Sequence, residues 1–203
     1  MGAVEQLRDI EEIRLVKHRY LRCVDLKLWD EIGDTLTESA ALDTGTSAFG
    51  KLVEINGRAE IVAFFRAKLG SAMLTGHTAS QPEIVVDGDM ATGVWSYRET
   101  MLSITHRIVI ASTGFCEERY ERCADARWRI TRTGYVRTYE TMVSLDDLPS
   151  FKIIAALGSD LPANGQAAAA PSADTALAPA RKPNGANGAA GHSTVGPGAG
   201  ARQ

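Results

Sequence analysis

The chain has 203 residues, 23% of them charged and 6% aromatic, and carries a formal net charge of -3 at pH 7. That balance gives no global attraction to nucleic acid. No stretch is long and apolar enough to span a membrane, and the charged opening MGAVEQLRDIEEIRLVKHRY is not a signal peptide, so the cytoplasm is the expected address.

Val4 to Trp29 reads as a helix. Leu7, Ile10, Ile13 or Arg14, Val16 or Lys17, Tyr20 or Leu21, Val24 and Leu28 recur at spacings of three and four and form an apolar stripe. A short helix from Trp29 to Leu36 and a strand from Ser39 to Thr44 follow. Asn56-Gly57 forms a turn before a helix over Gly57 to Leu69, with Asn56 as its cap. After Gly76 the apolar period changes to two. Strands are expected over His77–Val86, Ala91–Ile104, Arg107–Cys123 and Arg127–Thr138, the first two joined by the hairpin turn Asp87-Gly88-Asp89. Leu145 to Leu157 is either a short closing helix or an irregular arm bent at Pro149.

Residues 1–158 fit one domain with a single core, and residues 159–203 form a tail of different character. From Asn164 to Gln203 the tail has no aromatic residue, and Pro171, Pro179 and Pro183 with many glycines interrupt its alanines. Such a run buries too little surface to offset the entropy of ordering it, so it is expected to be disordered. Helices first and then a long antiparallel meander give an α+β fold, a cone-shaped design whose sheet curves around a pocket and packs on the N-terminal helices.

The candidate chemistry lies in a few positions. Tyr20 and Asp25 are five apart near the end of the first helix, about 140° net around its axis, so both can border a cavity at the helix end. Asp25 stands between Val24 and Leu26, where a buried carboxylate needs a partner. The plain alternative is a carboxylate facing water or paired with Arg22. His77 gains meaning through that carboxylate. A histidine held by an aspartate has a fixed tautomer and raised basicity, which suits a general base near neutral pH. Taken alone, it reads as a surface or packing residue.

Glu99 shares a strand face with Trp95, Tyr97 and Met101. It is either a cavity acid with a raised pKa or the solvent end of an apolar stripe. Arg132 continues the parity of Trp128 and Ile130, which points it at an anionic or leaving group; its alternative is a rim residue paired with a glutamate. His18 and His106 read as exposed. The arginines from Arg119 to Arg137, with Glu117, Glu118 and Glu121 interleaved, read as a solvated sheet face. Cys23, Cys116 and Cys123 lack metal-ligand spacing, and no zinc motif, phosphate loop or dinucleotide fingerprint occurs.

Tyr20...Asp25 at the end of the first helix, Gly76-His77-Thr78, and the Tyr120-Glu121-Arg122...Trp128-Arg129-Ile130 hairpin together resemble the SnoaL-like branch of the NTF2-like superfamily, over roughly residues 5 to 140. Its members include bile acid 7-alpha-dehydratase, lindane dehydrochlorinase, scytalone dehydratase and ketosteroid isomerases. The resemblance implies a deep, largely apolar pocket for a small hydrophobic substrate, often in dimers or trimers, and no cofactor.

In the bile acid dehydratase, matching tyrosine, aspartate and histidine positions fall on Tyr20, Asp25 and His77, and an aspartate position falls near Glu99. The dehydrochlorinase shares the aspartate and histidine, has a lysine in place of Tyr20, and has a strand arginine that lands near Arg132. Tyr20 therefore tilts the expectation toward an oxygen leaving group or a carbonyl substrate. The implied activity is that of a dehydratase-like lyase, with His77 abstracting a carbon-bound proton from a steroid- or polyketide-like hydroxy or keto compound. The alternatives are a ketosteroid-isomerase-like isomerase and a non-catalytic small-molecule-binding protein.

Overall fold

A computed structural model describes residues 2–45 and 53–156. The expected tail lies outside the described residues.

Helix α1 spans Ala3–Asp25 and buries Ile13, Lys17, Tyr20, Leu21 and Val24 along one face. It stops four residues earlier than its apolar pattern suggests. Lys27 takes φ 60°; its N–H returns to the Val24 carbonyl at 3.3 Å and that of Leu28 to the Cys23 carbonyl at 2.9 Å. This is a Schellman-type stop, and it leaves Asp25 as the last helical residue. Helix α2 (Trp29–Ile32) and a 3-10 turn (Gly33–Thr35) lead into strand β1 (Leu36–Asp43).

Strand β2 (Glu54–Asn56) was not legible in the sequence. Helix α3 (Arg58–Lys68) follows at once and is capped by Gly57 at φ 101°, not by Asn56. Four long strands complete the sheet: β3 (Met73–Asp87), β4 (Met90–Ser103), β5 (Ile108–Arg122) and β6 (Trp128–Ser144). After β6 comes a 3-10 turn (Leu145–Asp147), and no closing helix follows it among the described residues.

The α+β class and the helix-covered sheet are present, but the cone-shaped barrel is not. The strand order is β2-β1-β6-β5-β4-β3, an open sheet with β2 and β3 as its edges, neither closed nor strongly curled. Closure would require the two edges to pair, and a three-residue β2 offers almost nothing to a fifteen-residue β3. The pairing of β1 with β6 is moreover parallel, so the sheet is mixed and not a pure antiparallel meander. Helix α1 packs against β3 and β6, and α3 against β1. Between helices and sheet lies the core, centred on Ile13, Ile32, Leu36, Ile61, Trp95 and Ile130.

Two interruptions in β6 decide which of its side chains face that interior. Tyr120 pairs with Ile130 but Arg119 with Arg132, so Thr131 is an extra residue; Gly114 pairs with Arg137 but Thr113 with Tyr139, so Thr138 is another. Each bulge reverses the alternation of inward and outward residues.

Candidate active site

Asp25, at the end of α1, reaches across to β3. One carboxylate oxygen, Oδ2, accepts the His77 backbone N–H at 3.0 Å, while Oδ1 accepts the Thr75 hydroxyl at 2.9 Å and lies 2.5 Å from His77 Nδ1. Lys27, turned by the helix stop, donates to Thr75 Oγ1 at 3.0 Å. The carboxylate is thus gripped by β3 and in turn fixes the imidazole. Burial opposes charge on both partners. For Asp25 the bonds from His77 and Thr75 outweigh it and hold the pKa below its ordinary value. For His77 the hydrogen bonds and charges of Asp25 and Glu99 outweigh it and hold the pKa above 6.5.

Glu99 sits on β4 directly opposite His77. Its Oε2 is 3.6 Å from His77 Nε2 and accepts from the Tyr97 hydroxyl at 3.2 Å; its Oε1 accepts from Ser112 at 2.6 Å and from Arg137 Nη2 at 3.4 Å. Glu99 is therefore inside the cavity, not at a solvent end. Its acidity runs against the raised value expected of a cavity acid. Burial pushes it up, but His77, Ser112 and Arg137 together bring it below the ordinary carboxylate range. Arg137 is itself fixed by Tyr135 Oη at 2.5 Å, Glu140 at 2.9 Å and the Thr44 carbonyl at 3.1 Å.

His77, Tyr97, Glu99, Tyr135 and Arg137 line a cavity of 770 Å³, a volume suited to a small multi-ring molecule. Its wall is largely apolar, with Leu21, Val24, Phe64, Phe65, Leu69 and Met101 among the lining residues. Tyr20 is buried on the wall, its ring edge-on to Phe65 at 6.3 Å. Its hydroxyl makes no hydrogen bond among the described residues, and burial keeps its pKa well above 10. One helical turn earlier, Lys17 donates to Glu118 at 2.5 Å; the two side chains are 1% and 0% exposed.

Of the candidate residues, Tyr20, Asp25, His77 and Glu99 come together around this space, Asp25 by way of His77. Arg132 does not. Its side chain is 40% exposed and pairs with Glu54 at 3.4 Å and Asp43 at 3.8 Å beside β1 and β2, so its alternative as a rim residue describes it. The parity argument fails at Thr131, the extra residue that turns Thr133, Tyr135 and Arg137 inward in its place. Glu118, expected on a solvated sheet face, is instead buried, as is Lys17 beside it. Lys17 interrupts the apolar stripe of α1, and Glu118 alternates with Cys116 and Tyr120 on the inner face of β5. No cluster of potential metal ligands occurs among the described residues, and none of their helices is long and apolar enough to cross a membrane.

A family model described as a SnoaL-like domain matches residues 5–134. Among solved structures, the Kfla4162 protein from Kribbella flavida is 22% identical, with a TM-score of 0.61 over 67% of this chain and 95% of that one. Hexachlorocyclohexane dehydrochlorinase LinA-type3 from Novosphingobium barchaimii LL02 is 14% identical, with a TM-score of 0.60 over 70% and 94%. Rv3472 from Mycobacterium tuberculosis, a protein of unknown function, is 22% identical, with a TM-score of 0.58 over 76% and 83%. At these identities the three structures are evidence of a shared fold alone.

Proposed function

The chain belongs to the SnoaL-like family of the NTF2-like superfamily, and from that premise we propose that it is a cofactor-independent lyase of the dehydratase type. The observation that carries this reading is the 2.5 Å contact of Asp25 with His77 Nδ1, on a histidine that lines the cavity. With Nδ1–H donated to Asp25, neutral His77 presents the Nε2 lone pair to a carbon-bound proton of the substrate. Once protonated, the ring lies between Asp25 and Glu99, which stabilise the imidazolium. The Tyr20 hydroxyl donates to the developing enolate or to the departing oxygen, where negative charge grows. The proton taken up by His77 passes to the departing β-hydroxyl, which leaves as water and restores the neutral base; without a leaving group, return of that proton to another carbon gives isomerisation.

The substrate we assign is a hydrophobic hydroxy or keto compound of steroid or polyketide shape. The dehydrochlorinase neighbour offers an analogy, since loss of hydrogen chloride is also an elimination. A homo-oligomer is part of this proposal. Val94, Phe115, Val136 and Val143 are exposed on the outer face of β4, β5 and β6, and a second copy would cover them; sedimentation velocity tests this.

A second reading, a non-catalytic binding protein, is favoured by one observation. Asp25 and Glu99 flank His77 and raise its pKa, which reduces the neutral fraction that can act as a base. The test is incubation with bicyclic and tricyclic β-hydroxy ketones in deuterated water. His77-dependent deuterium uptake at the carbon next to the carbonyl, with water loss, supports the lyase. Uptake without water loss supports the isomerase. Tight binding with no exchange leaves the binding protein.

A further inference from the structure

Lys17 is the buried cation that the proposed chemistry leaves unused. Its ammonium carries three N–H donors. One strong hydrogen bond holds it, to Glu118 Oε1 at 2.5 Å, and a weak one to the Cys116 sulfur leaves a third donor for the cavity. Around it stand the ring of Tyr20, with its centroid 5.5 Å from Nζ, and the ring of Tyr97, at 5.8 Å. Cys116 is the remaining polar neighbour, a thiol whose pKa burial pushes up to about 12, which leaves it neutral. Lys17 nevertheless lines the cavity.

The other side of the pair is better satisfied. Glu118 accepts from Lys17, from the Thr133 hydroxyl at 2.6 Å and from Tyr120 Oη. The carboxylate thus holds three donors, whereas the ammonium makes one strong bond. Burial depresses the ammonium's proton affinity, but the charge of Glu118 outweighs that and raises it above the ordinary lysine value. Lys17 therefore stays charged, which rules out an amine nucleophile and leaves a donor.

Its position is also informative. Lys17 lies eight residues before Asp25 on α1, about 12 Å along the helix axis. Its ion pair joins it to a buried run: Glu118 accepts from the Tyr120 hydroxyl, which accepts from Trp95 Nε1, and all three residues are at most 3% exposed. The ring of Tyr97 is 5.9 Å from that of His77 and 5.8 Å from Lys17 Nζ, so one small molecule lying against Tyr97 reaches both.

We propose that Lys17 is a substrate-anchoring residue at the closed end of the cavity, donating to a second oxygen, a carbonyl or phenolic hydroxyl, at the end of the substrate remote from His77. The inference rests on the lyase reading for the first oxygen, the one beside the proton that is lost. It narrows the substrate class to compact ring systems with an oxygen function at each end. A molecule with one oxygen fills the same space but leaves the ammonium under-satisfied, and the buried charge then penalises the complex.

The test compares the binding of 2-tetralone with that of 6-hydroxy-2-tetralone by calorimetry, a readout independent of turnover. The second oxygen is expected to tighten binding about tenfold or more in the unaltered protein, the effect of one charge-assisted hydrogen bond. The double variant Lys17→Met/Glu118→Gln, which removes both charges and keeps the volume, is expected to lose that advantage. His77→Gln is expected to keep it while abolishing proton exchange, so failure of the catalytic reading and failure of the anchor give different results.

Equal affinity for the two ligands, or an advantage that survives in the double variant, overturns the proposal. If the double variant does not fold, lysine-selective carbon-13 labelling of the unaltered protein reads the same contact. The Lys17 side-chain resonance then shifts with 6-hydroxy-2-tetralone and not with 2-tetralone, and no difference between the ligands overturns the anchor.

Discussion

His77 on β3 and Glu99 on β4 are direct cross-strand partners, and the face they share brings Nε2 within 3.6 Å of a carboxylate already holding three other donors. His77 consequently has a carboxylate on each ring nitrogen, and its protonated form is favoured. The sign follows directly. A base must be neutral to act, so kcat/KM should rise with pH through an apparent pKa above 6.5. Glu99→Gln removes one stabilising charge and should move that limb to lower pH. Proton NMR titration of His77 in both proteins checks the same shift without a substrate. A limb unmoved by Glu99→Gln would show that the carboxylate does not set the basicity.

Asp25→Asn keeps one carbonyl oxygen, enough for Thr75 or for the His77 backbone N–H but not for both, and loses the charge that orients the ring. The tautomer with a proton on Nδ1 is then less favoured, and Nε2 is less available as a base. Deuterium exchange into a bound ketone should fall about 10²- to 10⁴-fold, with ligand affinity nearly unchanged. A loss of affinity equal to the loss of exchange would instead make Asp25 a structural strap between α1 and β3.

Much of this site is written in local pattern, and the exceptions have physical causes. Tyr20 and Asp25 stand out because polar groups interrupt the apolar run of the first helix, and such interruptions survive folding wherever the period is regular; His77, weak alone, gains meaning only through Asp25. Glu99 was placed by the period of β4, which is uninterrupted from Ala91 to Met101 on its inner face. Arg137, expected with its neighbours on a solvated sheet face, is instead buried against Glu99, for the opposite reason. Two extra residues in β6, Thr131 and Thr138, reset the alternation, and a bulge depends on the partner strand as much as on its own sequence. The open sheet escaped for a similar cause. The parallel pairing of β1 with β6 joins segments some ninety residues apart, and no local period reports it.

The Lys17–Glu118 pair makes a stability prediction separate from ligand binding. Lys17→Met alone leaves Glu118 buried with only hydroxyl partners and should cost about 3–5 kcal/mol. Adding Glu118→Gln removes the stranded charge and should restore most of that loss. Urea unfolding of the single and double variants measures both. Equal destabilisation of the two would mean that Lys17 contributes packing and not charge.

Gly114 ties the second β6 bulge to the site. A Cβ at this position would stand 2.1 Å from the Val136 carbonyl oxygen and 2.9 Å from Arg137 Cα, both backbone atoms that no side-chain rotation can move aside. The glycine therefore permits the close approach that turns Arg137 toward Glu99. Gly114→Ala should force β6 away from β5, at a cost of about 1–3 kcal/mol, and draw Arg137 from the 3.4 Å contact with Glu99. Glu99 would then lose one of the charges that keep its pKa low. Its titration should move upward, and with Glu99 more often neutral the His77 limb should move to lower pH. Carbon-13 NMR of the Glu99 carboxyl, set beside a urea unfolding curve, reads the two effects separately. Destabilisation with an unmoved Glu99 titration would show that the bulge serves the sheet and not the site.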